Sequence, residues 1–498
     1  MGKVSGGELV DYITNNKSDI IITKKNDIFV SISTDKGIAQ ELSDHFTFEV
    51  PGAKFMPAYK TRAWDGKIRL FNLKTSLIYY GLKFEVVRFA DTRGYTFSIF
   101  DESNNTDKGD VTEFINHLNI PLELRDYQTE AIHHSIKQNR ALLVSPTASG
   151  KSLIIYCLIR YYLLKQPEKI LLLVPTISLV SQMFKDFGDY GFHPETNCHM
   201  ITGGKDKDSW QRIYISTWQS VYKEKRPYFE KFGVIFVDEA HLAKAASLKS
   251  IMEKLPDCKY RFGLTGTLDG TESNKLVLSG LFDVPKKVVS TKELMDAGTI
   301  SKLKINSLIL NHSIPDKKIA MRVKTYQEEC DYLVLNAARN QFISRLATSL
   351  EGNTLVLFQY VEKHGIPLTK QIRALTTKNV RYISGMVKAE EREETRDVTE
   401  ANDDVIIVAS YQTYSTGINI KNLHNIIFAF PTKSQVRVLQ SIGRGLRLHD
   451  SKDKCNVYDI ADDIRKGKKK NYTLNHFYAR YNIYNEAEFD VSTEIINL

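Results

Sequence analysis

Cysteine is scarce in this chain, and long apolar runs are missing. The five cysteines are scattered, at positions 157, 198, 258, 330 and 455, and no two form a Cys-x-x-Cys pair. This spacing indicates neither a zinc site nor a disulfide framework, so a reducing compartment is expected. The best candidate for a membrane span, residues 153–164, is interrupted by Arg160 and is shorter than the about 20 residues required. Because the N-terminus also lacks a signal-peptide layout, we expect a cytoplasmic protein that does not bind a membrane.

A strong excess of one charge sign is absent as well. The chain has 68 Lys and Arg against 59 Asp and Glu, which gives a formal net charge of +9. This is only weak evidence for a polyanionic partner. The length of 498 residues predicts about three domains, at roughly 100–200 residues each.

Short β-type runs separated by Asn, Asp and Gly dominate the first hundred residues, and we predict a small α+β domain over residues 1–115. Within it, residues 54–88 hold eight Lys or Arg against two acids, with seven aromatic residues interleaved. Cations can neutralise phosphates and aromatic rings can stack on bases, which favours DNA recognition. The alternative is that the aromatic residues form a core and the cations a solvated face. The first candidates for DNA contact flank an expected Asp65-Gly66 turn: Lys60, Arg62, Trp64, Lys67 and Arg69.

A phosphate-binding loop is the clearest motif. The apolar run 141–144 leads into Ser145-Pro-Thr-Ala-Ser-Gly-Lys-Ser152, and a second apolar run follows. Strand, small-residue loop, Gly-Lys-Ser and helix form the layout of a P-loop, although Ser145 holds the first glycine position. We expect Ser149 and Gly150 to lie at the phosphates of ATP, Lys151 to reach the β- and γ-phosphates, and Ser152 to bind Mg²⁺.

Upstream of this loop, Leu124-Arg-Asp-Tyr-Gln128 opens an expected helix capped by Asp126. A glutamine amide donates and accepts hydrogen bonds at once, which suits the edge of adenine. Arg125 and Gln128 are therefore candidates for the nucleotide site. A surface glutamine at a helix start is the alternative.

Continuous apolar runs predict the buried strands of a parallel sheet, at 141–144, 170–174, 213–215, 234–237 and 262–264. Polar residues recur at their C-terminal ends, the edge at which open α/β sheets bind ligands. Asp238 and Glu239 follow one such strand, where two acids are costly unless they are paired or bind a metal. We expect Asp238 to complete the Mg²⁺ site opposite Ser152. Glu239 is expected to orient and deprotonate the water that attacks the γ-phosphate.

Ser145–Ser152, Asp238-Glu-Ala-His241 and Thr265-Gly-Thr267 stand in the order of helicase motifs I, II and III. The chain resembles superfamily-two helicases of the DEAH-box-like group. This resemblance implies two RecA-like domains with ATP between them, here over residues 116–288 and 289–464. It also implies that His241, Thr265 and Thr267 couple hydrolysis to movement. Contacts with a DNA strand are implied for Pro175, Thr176, Gly203, Gly204 and Thr217.

The second half follows a polar connector, expected at about 286–304, and repeats the apolar runs without a second P-loop. Its segment 410–420 is similar to motif V, which makes Gly417 and Asn419 candidates for the nucleotide site; Asn419 replaces the usual acid. Gln440-Ser-Ile-Gly-Arg-Gly-Leu-Arg447 matches motif VI. On a helix, Arg444 and Arg447 share one face, which suits phosphate binding across a cleft. Together with Gln440 they are catalytic candidates, and a basic surface helix is the alternative.

Further segments narrow the resemblance. They are the N-terminal module with Trp64-Asp65-Gly66, the stretch 324–329 and the stretch 415–424. With them, nearly the whole chain resembles phage recombination helicases of the UvsW type. The resemblance implies an enzyme dependent on ATP and Mg²⁺ that migrates Holliday junctions, regresses forks and unwinds R-loops or D-loops. Branched or duplex DNA is then the expected partner, and an RNA–DNA hybrid is a further candidate. The motor is expected to be a monomer, and its expected location is the host-cell cytoplasm.

Three alternatives stay open. A restriction-type duplex translocase subunit would share the motor, although no Pro-Asp…(Asp/Glu)-x-Lys nuclease pattern is present. An RNA helicase would use the same machinery. A nucleic-acid-binding protein with an inactive motor is disfavoured by Lys151, Glu239 and Arg444.

The basic and tyrosine-rich residues 465–498 are expected to form a C-terminal tail, which would either contact DNA or act as a flexible linker.

Overall fold

The chain folds into two compact units. The computed structural model describes residues 18–50, 52–101, 111–202, 206–242, 245–268, 272–320, 322–385, 387, 389–417, 420–432, 438, 442–443, 445–446, 448–449, 451–465 and 470–498. The first unit comprises Met1–Val144 and Ser152–Val288, and the second comprises Ser145–Lys151 and Val289–Leu498. Across the described part of the chain, none of the helices combines the length and the apolar character needed to cross a membrane.

The first unit begins with a small α+β domain, as the sequence predicts. Its strands are β1 (Ile20–Lys24), β2 (Phe29–Thr34), β3 (Thr47–Glu49), β4 (Lys67–Arg69), β5 (Leu77–Tyr79) and β6 (Phe97–Phe100). Its helices are α1 (Lys36–His45), α2 (Pro57–Lys60) and α3 (Lys83–Arg93), with 3₁₀ turns at Ala53–Phe55 and Tyr80–Leu82. Four strands form a mixed sheet in the order β5–β2–β1–β6, and β3 and β4 form a separate antiparallel pair.

A parallel seven-stranded sheet makes up the rest of the first unit. Its strands are β7 (Arg140–Val144), β8 (Lys169–Val174), β9 (Cys198–Ile201), β10 (Ile213–Thr217), β11 (Phe232–Val237), β12 (Tyr260–Thr265) and β13 (Pro285–Lys287). The strand order is β13–β7–β12–β11–β8–β10–β9, with every neighbouring pair parallel. The interior of β11 is buried at every position, which explains its unbroken apolar sequence.

The helices of this part connect the strands. They are α4 (Val111–Asn116), α5 (Asp126–Gln138), α6 (Lys151–Lys165), α7 (Ile177–Asp189), α8 (Pro194–Asn197), α9 (Trp218–Val221), α10 (Arg226–Phe229), α11 (Ala245–Met252) and α12 (Glu272–Leu281), with a 3₁₀ turn at Ala240–Leu242. Asp126 is the first residue of α5 and not its cap. The cap position is Arg125, whose backbone N–H donates to Gln128 Oε1 at 3.0 Å.

The α+β domain and the seven-stranded sheet share one hydrophobic core, to which Val30 and Leu82 contribute from one side and Leu171 and Ile235 from the other. Arg140, at the start of β7, is buried and donates to the backbone oxygen of Asp27 at 2.7 Å. The two parts also pack tightly at Gly81, where an added Cβ would lie 2.1 Å from the Ser279 carbonyl oxygen. The N-terminal domain is therefore seated on the sheet that follows it.

The second unit contains another seven-stranded parallel sheet. Its strands are β14 (Lys302–Asn311), β15 (Thr354–Phe358), β16 (Asn379–Ile383), β17 (Val405–Ser410), β18 (Asn425–Phe428), β19 (Lys454–Asp463) and β20 (Asp490–Asn497), in the order β16–β17–β15–β18–β19–β14–β20. Its helices are α13 (Thr291–Asp296), α14 (Ile314–Ala320), α15 (Tyr326–Leu335), α16 (Ala337–Ser349), α17 (Ile366–Leu375), α18 (Ala389–Glu400), α19 (Tyr411–Gly417) and α20 (Tyr472–Glu486), with a π-helical turn at Val361–Gly365. Two such sheets confirm the predicted fold class.

Two expectations about the second half need correction. The polar connector predicted at 286–304 is shorter, because β13 extends to Lys287 and β14 begins at Lys302. The expected separate tail is wrong from Lys470 onward, since α20 packs on β19 and β20 pairs in parallel with β14. Residues 466–469 of the basic run lie outside the described part.

Candidate active site

The P-loop connects β7 to α6, as predicted. Two of its serines, Ser145 and Ser149, are fully buried. The Ser145 hydroxyl donates to Ser149 Oγ at 2.6 Å, and the Ser149 hydroxyl donates to the Pro146 carbonyl oxygen at 2.7 Å. A left-handed backbone turns the loop at Ala148 (φ 66°) and Gly150 (φ 80°). At Gly150 the missing side chain makes this conformation inexpensive, whereas at Ala148 it is strained. The serine that replaces the expected glycine thus contributes a hydrogen bond inside the loop.

Lys151 is the first residue of α6, and its ammonium group turns back onto the loop. Lys151 Nζ donates to the carbonyl oxygens of Ser145 at 3.2 Å and Pro146 at 3.3 Å. These carbonyl groups hold the cation at the loop, where a lysine would meet phosphate oxygens. The next residue, Ser152, lies within hydrogen-bonding distance of Tyr190, with 2.8 Å between the two hydroxyl oxygens.

The acids of motif II follow β11 directly. The Asp238 side chain lies at the end of this buried strand and is itself buried, with 5% exposure. Glu239 has a left-handed backbone with φ of 48°, which is rare for a residue with a Cβ and costs about 1–3 kcal/mol. Such strain concentrates at functional sites, and here it turns the chain sharply behind the strand.

His241, Thr265 and Thr267 are brought together in one network. Thr265 is fully buried at the end of β12, and its hydroxyl donates to the Thr267 carbonyl at 2.7 Å. His241 Nδ1 lies 2.6 Å from Thr265 Oγ1 and 3.4 Å from Glu239 Oε2. Because the threonine hydroxyl is used as a donor, the histidine Nδ1–H donates to it. Motifs II and III are thereby joined by side-chain contacts.

A magnesium ligand set can be tested against these residues. No group of three or more His, Cys, Asp or Glu side chains suited to a metal occurs among the residues with described placement. Mg²⁺ in nucleotide sites is usually held by one or two protein oxygens together with phosphate oxygens. The buried Asp238 carboxylate and the Ser152 hydroxyl fit that mode.

The adenine candidates Arg125 and Gln128 stand at the start of α5, as predicted. Gln128 is buried, and its amide oxygen accepts the Arg125 backbone N–H. The Arg125 side chain is exposed and donates to the Tyr127 hydroxyl at 2.8 Å. The glutamine oxygen therefore holds the helix start, a use that the sequence alone did not reveal.

Candidates for DNA contact on the first sheet lie at strand ends. Thr176 caps α7, and its hydroxyl oxygen accepts the Leu179 N–H at 3.3 Å. Pro175 immediately precedes it, and Thr217 is buried at the end of β10, 2.9 Å from the Ser220 hydroxyl. Because β8 and β10 are parallel neighbours, these ends share one edge. Gly203 and Gly204 lie outside the described residues.

In the N-terminal domain, the basic candidates lie in the loop between β3 and β4 and on β4 itself, which begins at Lys67. Lys60, Arg62, Lys67 and Arg69 are exposed, and Arg69 pairs with Asp65. Trp64 is half-buried, and its indole N–H donates to the Lys67 carbonyl at 2.9 Å. The indole thus stabilises the loop itself.

The exposed aromatic rings of that loop belong to other residues. Phe55 is 75% exposed and Tyr59 is 41% exposed. The basic–aromatic composition of the stretch indicated this surface, but it did not distinguish the exposed rings from the half-buried Trp64.

Motif V and motif VI are described only in small part. Gly417 is the last residue of α19, and this helix directly follows the buried strand β17. Asn419, Gln440, Arg444 and Arg447 lie outside the described residues, so their predicted roles remain predictions.

Three segments of the chain match known protein families. Residues 19–100 match the family model described as DNA helicase UvsW, N-terminal. Residues 121–270 match type III restriction enzyme, res subunit, and residues 337–449 match helicase conserved C-terminal domain. The ATP-dependent DNA helicase uvsW of Enterobacteria phage T4 is 36% identical over 495 residues, covering 94% of this chain and 98% of the relative. The chain belongs to the UvsW family.

Solved structures agree with this membership. The crystal structure of T4 UvsW matches with a TM-score of 0.51 at 34% identity, covering 96% of this chain and 99% of that one. The ATP-dependent type ISP restriction–modification enzyme LlaBIII, bound to DNA, matches with a TM-score of 0.56 at 17% identity, covering 76% and 32% respectively. The second likeness shows a shared fold alone. As a member of the UvsW family, the protein is an ATP-dependent DNA helicase.

Proposed function

We propose that this UvsW-family helicase remodels branched DNA, and that the loop between β3 and β4, together with β4, recognises the branch. The observation that carries this proposal is the exposed basic and aromatic surface of that loop, on a domain that shares a core with the motor. Lys60, Arg62 and Lys67 would neutralise phosphates, and Phe55 and Tyr59 offer faces on which unpaired bases stack. Arg69 contributes less, because it is paired with Asp65.

The nucleotide site is assigned to the P-loop and motif II. Lys151 would exchange the loop carbonyls for the β- and γ-phosphates, with Ser149 and Gly150 shaping the cradle. Ser152 and Asp238 would hold Mg²⁺, which supplies charge neutralisation to the phosphates when bound. Glu239 orients and deprotonates the attacking water.

Motif VI completes this assignment from the second RecA-like domain. Arg444 and Arg447 stabilise the charge that develops on the γ-phosphate, with Gln440 as a further catalytic residue; such arginines are worth about 10³–10⁵ in rate. Gly417 and Asn419 of motif V line the nucleotide. Arg125 and Gln128 are assigned to the adenine side of the nucleotide, and the Gln128 amide oxygen also accepts the Arg125 backbone N–H.

Hydrolysis is coupled to DNA through the network of His241, Thr265 and Thr267. Its members link the acid turn after β11 to the end of β12: Glu239 contacts His241, and His241 is hydrogen-bonded to Thr265 of motif III. DNA strand contacts are assigned to Pro175, Thr176, Gly203, Gly204 and Thr217.

The motor is proposed to act as a monomer in the host-cell cytoplasm. Its proposed domains comprise residues 1–115, 116–288 and 289–498.

The experiment is a comparison of substrates under one salt condition. ATP-driven unwinding would be measured on a fork, a four-way junction, an R-loop, a linear duplex and an RNA duplex. We expect the fork, junction and R-loop to be processed faster than the linear duplex. Equal unwinding rates on branched and linear DNA would indicate a duplex translocase. Faster unwinding of the RNA duplex would indicate an RNA helicase. Either result contradicts the proposal.

A variant series then tests the loop. Simultaneous Lys60→Ala, Arg62→Ala, Lys67→Ala and Arg69→Ala should weaken junction binding and reduce its salt dependence, by about 0.9 in log–log slope for each phosphate that is no longer neutralised. The matched control removes four exposed lysines elsewhere in the first unit: Lys25, Lys36, Lys137 and Lys165. Junction affinity that falls equally in both variants would mean that net charge, and not this loop, binds the branch.

A further inference from the structure

The Ser152 hydroxyl has a specific neighbour that helicase motifs do not include. Its oxygen lies 2.8 Å from the phenolic oxygen of Tyr190, a residue 38 positions away in the chain. Ser152 stands in the first turn of α6, and Tyr190 is the residue that ends α7. The contact therefore joins the start of the P-loop helix to the end of the helix that Thr176 caps.

The Tyr190 ring is held in place on several sides. Its centroid is 5.3 Å from that of Tyr156, which lies four residues after Ser152 on the same face of α6. The backbone N–H of Tyr190 donates to the Asp186 carbonyl at 3.0 Å, and the Tyr156 hydroxyl lies 3.4 Å from the Tyr190 carbonyl oxygen. A tyrosine hydroxyl is protonated and uncharged at neutral pH. A rigid, uncharged hydroxyl is thus presented to Ser152.

A serine hydroxyl has one proton and two lone pairs. To bind a divalent cation through its oxygen, it must direct a lone pair toward the metal and its proton away from it. The Tyr190 oxygen, at 2.8 Å, is a suitable acceptor for that proton. Either oxygen can donate in this pair, and beside a cation the arrangement in which Ser152 donates is the favourable one.

We propose that Tyr190 is a positioning residue for magnesium binding: it accepts the Ser152 proton and so turns the lone pairs of Ser152 Oγ toward Mg²⁺. This inference rests on the proposed role of Ser152 as a magnesium ligand. Groups that orient metal ligands in this way typically change metal affinity or activity by about 10–100-fold when they are removed.

Tyr190→Phe in the full chain tests the proposal, because it removes the hydroxyl and keeps the ring that packs on Tyr156. The Mg²⁺ concentration for half-maximal DNA-stimulated ATPase should rise by about ten-fold or more, while kcat at saturating Mg²⁺ changes much less. Binding of a fluorescent ATP analogue should be unchanged in EDTA and weakened when Mg²⁺ is limiting. Tyr162→Phe is the matched control, since it removes a buried hydroxyl of the same helix that bonds neither Ser152 nor Tyr190.

The outcomes separate this inference from the proposed function. Wild-type Mg²⁺ dependence in Tyr190→Phe, together with a raised Mg²⁺ requirement in Ser152→Ala, would overturn the role of Tyr190 and leave the ATPase assignment intact. An unchanged requirement in Ser152→Ala would overturn the metal assignment itself. Equal effects of Tyr190→Phe and Tyr162→Phe, accompanied by equal losses in Tm, would show that Tyr190 only packs, which also contradicts the proposal.

Discussion

Glu239 combines two properties of an active-site residue: an acid side chain and a strained backbone. Its φ of 48° places it in the left-handed region directly after the buried strand β11. The neighbouring Ala240 is fully buried, and the His241 ring lies 3.4 Å from the Glu239 carboxylate. The surrounding structure thus maintains a turn that the isolated sequence would disfavour.

Replacing this acid should stop the chemistry while nucleotide binding remains. Glu239→Gln keeps the size of the side chain and removes its basicity, so we expect kcat to fall by about 10²–10⁴-fold. Single-turnover hydrolysis with DNA measures this loss, and a fluorescent nucleotide measures the affinity. Glu230→Gln, at an exposed acid of the same unit, should leave both unchanged. Hydrolysis at the wild-type rate in Glu239→Gln would remove Glu239 from the mechanism.

A second residue-scale feature is the buried carboxylate of Asp462. It accepts hydrogen bonds from Arg339 Nε at 2.9 Å and 3.0 Å and contacts His312 Nε2 at 2.9 Å. Burial alone would raise the pKa of Asp462, but Arg339 and His312 more than offset this effect and hold it at about 2. The ionised pair thus stays buried inside the second unit.

This depressed pKa predicts how stability depends on pH. The carboxylate stabilises the fold fully above its unfolded pKa of about 3.9, and the stabilisation is lost as pH falls toward 2. Asp462→Asn should cost about 3–5 kcal/mol at pH 6, because it leaves Arg339 buried without its counter-ion. Chemical unfolding at pH 6, 4 and 3 should show this difference shrinking below pH 4, with the exposed Asp490→Asn as control. A difference that stays constant to pH 3 would contradict the assignment.

The residues of the site were predictable to different degrees. Lys151, Asp238 and Glu239 could be proposed from the sequence because short motifs after apolar strands contain them. Tyr190 could not be found in this way, since it meets Ser152 only through the packing of α6 against the end of α7. The capping role of Gln128 was missed for a related reason: its partner is a backbone group, which carries no sequence signal.

At the scale of elements, the C-terminal helix α20 is an integral part of the second unit. Its Arg480 is buried and forms a bidentate pair with Asp459 of β19, and Glu329 of α15 accepts the backbone N–H groups of Tyr472 and Thr473 at its start. Composition suggested a solvated tail because α20 is rich in tyrosine and polar residues. Those polar groups are satisfied by partners far away in sequence, which composition cannot reveal.

Breaking the buried pair should destabilise the second unit. Arg480→Ala leaves Asp459 buried without its partner, so we expect a loss of about 3–5 kcal/mol. The same is expected for Asp459→Ala, and a double mutant should lose less than the sum of the two. Chemical unfolding of the four proteins measures the coupling. Additive losses would show that the pair contributes no coupling energy.

At the scale of the whole molecule, two parallel sheets and one small mixed domain were predictable from the sequence. Parallel strands that are buried on both faces appear in the sequence as unbroken apolar runs. The stretches of sequence between these runs are long enough for the connecting helices. The seating of the N-terminal domain was not predictable, because it depends on a shared core and on Gly81 beside Ser279. The loop that we propose for branch recognition thus belongs to the same unit as motifs II and III.

The central claim is that ATP hydrolysis at the P-loop drives the remodelling of branched DNA. Its most direct test is the DNA-stimulated ATPase of Lys151→Ala, measured on a four-way junction with junction binding recorded in parallel. We expect hydrolysis to be abolished in this variant while junction affinity without nucleotide is unchanged. Hydrolysis at the wild-type rate in Lys151→Ala would contradict it.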